Sequence, residues 1–243
     1  MPQATLLIVD GHNRDWSESI CSGDHVQMLD TLVPPNLATW RALYDARYGE
    51  AIMDKLQASK VAVCGLGGLG SVIATSLGRL GVGELLLIDK DIVEPTNLAR
   101  QQYSLRHLGM TKANAMASML KDSAPLTKVK AKTLCLDAQN GAEVLASYDV
   151  VCEALDRPDT KAMLIETVLA QCPEATIVAA SGMAGYGSGN SITTNKVFSR
   201  LYTSGDGTSE GEDGIGLMAP RVGLCANHQA TMIMRLLLGE VTP

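Results

Sequence analysis

The stretch VAVCGLGGLG, residues 61–70, constrains the fold more than any other part of the chain. A short apolar run stops at a cluster of glycines, and about 20 residues further on a second apolar run, ELLLID, ends on Asp89. The cluster satisfies G-x-G-x-x-G with Gly65, Gly67 and Gly70. The first glycine permits a tight turn, the second lets the backbone approach a phosphate, and the third lets helix and strand pack closely. The N-terminus of the following helix offers free N–H groups and a partial positive charge. An acid at the end of the second strand is placed to bond a ribose hydroxyl. Together these features predict a nucleotide-binding βαβ unit; the alternative is a tight turn and nothing more.

The rest of the chain continues the alternation. KVAVC, ELLLID, KVKAKTLC, YDVVCEAL and ATIVAA read as strands. A helix from the glycine loop to about Leu80, then TKANAMASMLKDS, QNGAEVLAS and PDTKAMLIETVLAQ, read as the helices between them. Pro158 falls in a first turn, where a missing N–H does no harm. This pattern predicts an α/β fold with a doubly wound, Rossmann-like, mostly parallel sheet covered on both faces. From Ser181 to Gly216 the pattern breaks into short polar-flanked strands and a Gly-rich acidic stretch, which predicts antiparallel C-terminal strands and a mobile loop near residues 204–214. A last helix runs from about Pro220 to Leu238. Ahead of the first strand, Ala38 to Ser59 has helical spacing interrupted at Gly49, an N-terminal helical arm. Residues 1–37 hold a possible strand (TLLIV), turn residues (DGHN) and VPP, and no role is assigned to them. The expected organisation is an N-terminal extension, 1–37, and one domain, 38–243.

Composition narrows the function. The net charge of -6 and the absence of a basic stripe argue against a nucleic-acid partner, whose affinity draws mainly on clustered Lys and Arg. None of the 6 cysteines forms a CxxC pair, so no zinc is expected. No apolar segment approaches the ~20 residues needed to span a bilayer, and no signal-peptide pattern opens the chain. The expected setting is cytoplasmic and reducing, without a membrane partner.

The glycine fingerprint alone does not separate NAD from ATP. The residues beyond it are IDKDIVEPTNLARQQY and LGMTK, so Asp89 and Asp91 are followed by Asn97, Arg100, Gln101 and Lys112. A triphosphate carries more negative charge than a dinucleotide's pyrophosphate, and two further cations with an amide donor suit it better. Arg100 and Lys112 are otherwise ordinary surface charges. In the usual doubly wound order the ends of VAVC and YDVVCEAL flank the crevice where ligands bind, and the latter runs into Asp156. An acid there is a natural Mg2+ ligand; its other reading is an N-cap for the helix near Pro158, with Asp159 competing for that place.

GLGGLG, IDKDIVEPTNLARQ, the G-x-x-K of GMTK and the acid after strand four together resemble the ThiF/MoeB/HesA adenylyltransferases, relatives of ubiquitin-activating enzymes. AASGMAGYG and GLMAPRVG are similar to the shorter ThiF-type branch, which serves the sulfur carrier ThiS in thiamine biosynthesis. The resemblance implies ATP with Mg2+, and a small ubiquitin-like carrier whose C-terminal Gly-Gly carboxylate attacks the α-phosphorus. By that comparison Gly65, Gly67, Gly68, Asp89, Asp91, Thr96, Asn97, Arg100, Gln101 and Lys112 form the nucleotide site. Arg100, Lys112, Asp156 and Arg47 carry the chemistry, with Asp156 beside the metal. Arg47 would enter the partner's site in a homodimer, its plain alternative being a solvated helix arginine.

Two departures bear on later steps. Relatives often hold zinc through paired CxxC motifs, which this chain lacks, and others carry a carrier-linked cysteine in the crossover region, yet residues 181–224 contain none. Cys172 and Cys225 lie at a helix end and within the last helix, so chemistry is expected to stop at the adenylate. The Gly-rich loop is a candidate clamp for the carrier's tail. Competing readings are a molybdopterin-carrier enzyme, a tRNA dehydratase and a nicotinamide-dependent oxidoreductase; the last leaves NLARQ and Lys112 without a task. A carrier-binding scaffold without turnover is a further one, against which Arg100, Lys112 and Asp156 speak.

Overall fold

The computed structural model describes residues 5–211 and 215–243. Its first three strands, β1 (Thr5–Val9), β2 (His12–Arg14) and β3 (Val26–Asp30), form a small antiparallel sheet in the order β2-β1-β3. Asp10 and Gly11, at φ 49° and 76°, close the first hairpin, the two-residue Asp-Gly turn whose twist matches that of paired strands. The helical arm follows as α1 (Leu37–Tyr48) and α2 (Glu50–Ala58), broken at Gly49, whose φ of 90° no helix accommodates. Asn36 caps α1 by accepting from Thr39 N–H at 2.9 Å.

The main chain fold is built on β4 (Lys60–Cys64), β5 (Glu84–Ile88), β6 (Lys128–Lys132), β7 (Val150–Glu153), β8 (Thr176–Ala180), β9 (Thr193–Phe198) and β10 (Leu201–Gly205). They make one sheet in the order β6-β5-β4-β7-β8-β10-β9. Every pair is parallel except β9 with β10, so the expected antiparallel C-terminal strands are this last hairpin, with β10 itself parallel to β8. Both edge strands are largely exposed and carry lysines, Lys128, Lys130 and Lys132 on β6 and Lys196 on β9, which discourages pairing with another chain.

The central strands are buried throughout because helices cover both faces. Val61, Val63, Leu85 and Leu87 point to one side, against α3 (Gly68–Leu80), α4 (Lys112–Ser123), α7 (Ala219–Leu238) and α2. Ala62, Cys64, Leu86 and Ile88 point to the other, against α5 (Gly141–Leu145) and α6 (Pro158–Gln171). Strand order reverses between β4 and β7. The crevice at their carboxyl ends is therefore the switch point, as the alternation predicted. Among the described residues no helix is long and apolar enough to cross a membrane.

The stretch expected to be mobile is in part held firmly. Asp206, with its side chain 9% exposed, is paired with Arg221, and its carboxylate accepts from the N–H groups of Thr208 at 2.9 Å and Ser209 at 2.8 Å. Residues 212–214 of that stretch lie outside the described residues.

Candidate functional site

The glycine loop joins β4 to α3, and its shape follows from backbone contacts no other residue would allow. Gly65 has φ 91° and donates its N–H to Ile88 O at 2.8 Å; a Cβ there would lie 2.5 Å from Ala154 O, on the segment leaving β7. A Cβ on Gly70 would lie 1.8 Å from Gly65 O, so the first turn of α3 sits directly on the loop. Gly67 is different. The nearest atom to a Cβ there is Gln101 Nε2, 3.9 Å away, which leaves backbone open at the N-terminus of α3. Gly68 faces Val222 of α7 and the Cγ of Arg100.

Asp89 is 8% exposed and already employed: Oδ2 accepts from Leu66 N–H at 2.7 Å and Oδ1 from Asp91 N–H at 2.8 Å. It therefore ties the glycine loop to the end of β5, with its remaining lone pairs available for a ribose hydroxyl. Asp91 pairs with Lys90 at 3.0 Å and with Lys112 at 3.3 Å. Burial alone would raise its pKa, but the two ammonium groups outweigh it and hold the carboxyl below its ordinary value.

The NLARQ segment folds into a 3-10 turn, Pro95–Ala99, that brings Arg100 and Gln101 back to the loop. Asn97 fixes this turn by accepting from Glu94 N–H at 3.0 Å, and Thr96 is exposed on it. Arg100 Nε and Gln101 Oε1 are buried without a hydrogen-bond partner in the protein. Orphaned buried polar atoms are costly, and here both flank open backbone at a helix N-terminus. The sequence-predicted Gly65, Gly67, Gly68, Asp89, Asn97, Arg100 and Gln101 are thus one cluster, with Asp91 and Lys112 joined to it through Asp89.

Across the switch point, Asp156 is exposed and makes no hydrogen bond or ion pair; Arg157 is the N-cap residue of α6 and pairs with Asp159 at 2.6 Å. Asp156 therefore does not cap the helix. Arg47 stands apart from this group: its guanidinium donates to Gly11 O at 3.2 Å, holding the first hairpin on the end of α1.

Two ion pairs beside the site, Glu153–Lys161 and Asp206–Arg221, escaped the sequence. Glu153, fully buried at the end of β7, accepts from Lys161 Nζ at 2.6 Å and from Leu155 N–H at 2.7 Å. Burial pushes its pKa up against the pull of Lys161. Its signal was a charge inside an otherwise apolar central strand. Arg221 donates to Gly187 O at 2.8 Å, Ser188 O at 2.5 Å and Ser191 Oγ at 3.0 Å besides Asp206, gathering two loops onto the start of α7. No local pattern announced that pair. Of the cysteines, Cys172 and Cys225 are buried, and burial pushes the Cys225 thiol up to about 12, which suits packing and not nucleophilic attack. Among the described residues, no group of three or more His, Cys, Asp or Glu is placed to hold a metal ion by itself.

This fold and this cluster define a doubly wound α/β protein with a G-x-G-x-x-G loop at its switch point. The family model described as ThiF family matches residues 41–243, and the chain belongs to that family. The curated Adenylyltransferase and sulfurtransferase UBA4 of Candida glabrata is 30% identical over 192 residues, 76% of this chain and 44% of the relative. Its counterpart in Lodderomyces elongisporus is 31% identical over 195 residues, 77% and 42%. The chain thus spans less than half the length of these curated relatives. Among solved structures, E. coli tRNA N6-threonylcarbamoyladenosine dehydratase TcdA, in complex with ATP, superposes with TM-score 0.74 at 22% identity, covering 85% of this chain and 98% of TcdA. E. coli MccB with AMPCPP and MccA gives 0.62 at 22%, covering 86% and 65%. At these identities the likeness is one of fold.

Proposed function

We propose that the protein is an ATP-dependent adenylyltransferase that activates the C-terminal Gly-Gly carboxylate of a ubiquitin-like, ThiS-type sulfur carrier. The observation that carries the reading is the pair of orphaned buried atoms, Arg100 Nε and Gln101 Oε1, beside the open backbone of Gly67. The unpartnered Arg100 Nε–H beside open N–H groups at a helix N-terminus fits phosphate, and the Gln101 Oε1 acceptor fits a hydroxyl or N–H of the nucleotide. In this reading Gly67 and Gly68 hold phosphate oxygens, Gly65 makes the tight turn that presents them, Asp89 holds the ribose, and Asn97 and Arg100 the triphosphate, with Thr96 and Gln101 beside them. Lys112, drawn on by Asp91, faces charge developing on the leaving group.

The carboxylate attacks the α-phosphorus, the bond to the bridging oxygen breaks, and pyrophosphate leaves with the electron pair. A terminal carboxyl has a pKa of about 3.5, so it is ionised at neutral pH and needs no general base. The work of the protein is to set two anions against each other and absorb the charge of the leaving group. Mg2+ would supply neutralisation of the phosphate oxygens. Asp156, exposed and unpaired, fits it, because Mg2+ usually takes one or two carboxylates and completes its shell with phosphates and water.

A ThiS-type carrier is favoured by the two segments similar to the ThiF-type branch, which pack together where Arg221 of GLMAPRVG holds Gly187, the last residue of AASGMAGYG, and Ser188 after it. The net charge of -6 speaks against tRNA as substrate. We further assign residues 1–37 as an extension of the catalytic domain 38–243, and Arg47 as a residue offered across a homodimer. Labelled pyrophosphate should exchange into ATP only when a Gly-Gly-ended carrier is present. Arg100→Ala and Asp156→Ala should each lower that exchange at least about 100-fold, as loss of preorganised charge does. Near-normal exchange in both, or oxidation of NADH in its place, defeats the reading.

A further inference from the structure

The peptide that leaves β7 toward Asp156 changes its means of support within two residues. Ala154 still belongs to the sheet, its N–H donating to Cys64 O at 2.8 Å. Beyond it the ladder ends, and both backbone groups of Leu155 are taken by side chains: Glu153 Oε1 accepts from Leu155 N–H at 2.7 Å, and Lys161 Nζ donates to Leu155 O at 3.2 Å. The same two side chains pair with each other at 2.6 Å, Glu153 fully buried and Lys161 with 22% of its side chain exposed. The N-cap of α6, Arg157, makes no side-chain capping bond, so the contribution of this helix end to Leu155 comes through Lys161.

A buried ion pair is weak evidence of stabilisation, because desolvating two charges consumes most of what their attraction returns. An apolar pair of the same volume would fill this space at no greater cost. What only this pair does is grip Leu155 from both sides, one residue ahead of Asp156. We infer that Glu153 and Lys161 are positioning residues that fix the β7–α6 turn and so set Asp156 for a divalent cation held against the bound nucleotide. The inference rests on the role given above to Asp156, and neither side chain is assigned contact with the ligand. Gly65 abuts the Ala154–Leu155 peptide, whose Ala154 end the sheet holds through Cys64 O, so the effect is expected to fall on the Asp156 side, and affinity in EDTA reads any shift of the glycine loop.

The test replaces both groups, Glu153→Met with Lys161→Met, and measures nucleotide binding by calorimetry with ATP in EDTA and with ATP across a Mg2+ titration. The expected result is an unchanged or raised melting temperature and unchanged affinity in EDTA. The Mg2+ concentration for half of the cation's effect should rise about 10-fold or more, the usual consequence of removing the partners that orient a ligand. Hydrogen exchange at the Leu155 amide should quicken in the ligand-free protein. Lys161→Arg, which keeps a donor to Leu155 O, should restore most of the Mg2+ response that Lys161→Met alone removes. Should the double variant not fold, Glu153→Gln with Lys161→Met carries the same expectation in smaller degree. An unchanged Mg2+ requirement in the variants, or an equal loss of affinity with and without the cation, overturns the inference. Absence of any Mg2+ effect in the unaltered protein overturns the role of Asp156, and the inference with it.

Discussion

Two glycine-rich stretches border the carboxyl edge of the same sheet, and they are held by different means. In the loop 65–70, order comes from steric demand: Gly65 and Gly70 are pressed on backbone at 2.5 and 1.8 Å, and no side chain could be admitted. In the stretch after β10, Gly205 is still pressed on Ser181 O at 1.8 Å, but Gly207, Gly211 and Gly216 have nothing within 4 Å of where a Cβ would stand. Order there is imposed from outside by Arg221, a residue of α7, through Asp206 and the carbonyls of Gly187 and Ser188. Glycine in the first place is a requirement of packing. In the second it is chain with little conformation of its own, fastened by Arg221 and by bonds to the 181–185 segment, among them Asp206 N–H to Gly182 O and Gly207 N–H to Ser181 O.

If that contrast is right, the two stretches fail in different ways. Gly70→Ala places a methyl group inside the first turn of the loop, where the obstacle is backbone and cannot rotate aside. A loss of about 4 kcal/mol or more is expected, at the extreme of single substitutions, with global unfolding by denaturant as the measure. Arg221→Leu leaves the Asp206 carboxylate with its two amide donors but no cation, a smaller loss than the ~3–5 kcal/mol of an uncompensated buried charge. Its damage should be local first: hydrogen exchange in 181–191 and 206–211 should rise before the central strands lose protection. Equal acceleration across the whole sheet would mean that the latch is part of the core and the contrast is false.

The first stretch was legible in the sequence because its whole logic is local: strand, three glycines and an acid, each answering to its chain neighbours. The same holds for the break at Gly49 and for α6, whose start at Pro158 and end at Gln171 follow from adjacent residues. What could not be seen depends on partners brought together by folding. Arg221 and Asp206 are 15 residues apart with no periodicity between them. The small N-terminal sheet hides for a similar reason: β2 is only 3 residues long, and β3, VQMLD, gains its strand character by pairing with β1 and not from alternation of its own. Asp89 was found for a ligand role, yet its two hydrogen bonds to Leu66 and Asp91 also make it part of the scaffold.

The latch carries a signature in acid that the steric loop lacks. The Ser209 amide, then the Thr208 amide and the Arg221 guanidinium, hold the Asp206 carboxyl well below the usual carboxylate range although burial opposes them. A carboxyl depressed in the folded state contributes stability above its unfolded pKa of about 3.9, and that contribution disappears as pH falls toward the folded value. Asp206→Asn should therefore be less stable than the natural chain at pH 6. The gap in melting temperature should close as pH is lowered from about 4 toward 2. Other carboxylates titrate in both proteins and cancel in the difference, so a gap that stays constant with pH would show that Asp206 is not charged in the latch.

The smallest effect falls on the chain beyond the latch, and its sign is what matters. Gly211 and Gly216 have free space around them and no positive φ to defend. Alanine at such a site removes freedom from the unfolded chain without adding strain to the folded one, a gain of about 0.4–1 kcal/mol. Gly207, at φ 75°, is the internal control, because open space does not relieve the strain of a side chain in that conformation. Gly211→Ala and Gly216→Ala should thus be neutral to slightly stabilising while Gly207→Ala is destabilising, all read from the same denaturant midpoints. A loss in all three would mean that the outer stretch is packed as closely as the loop at the head of α3, and that the two glycine-rich segments are ordered by one mechanism after all.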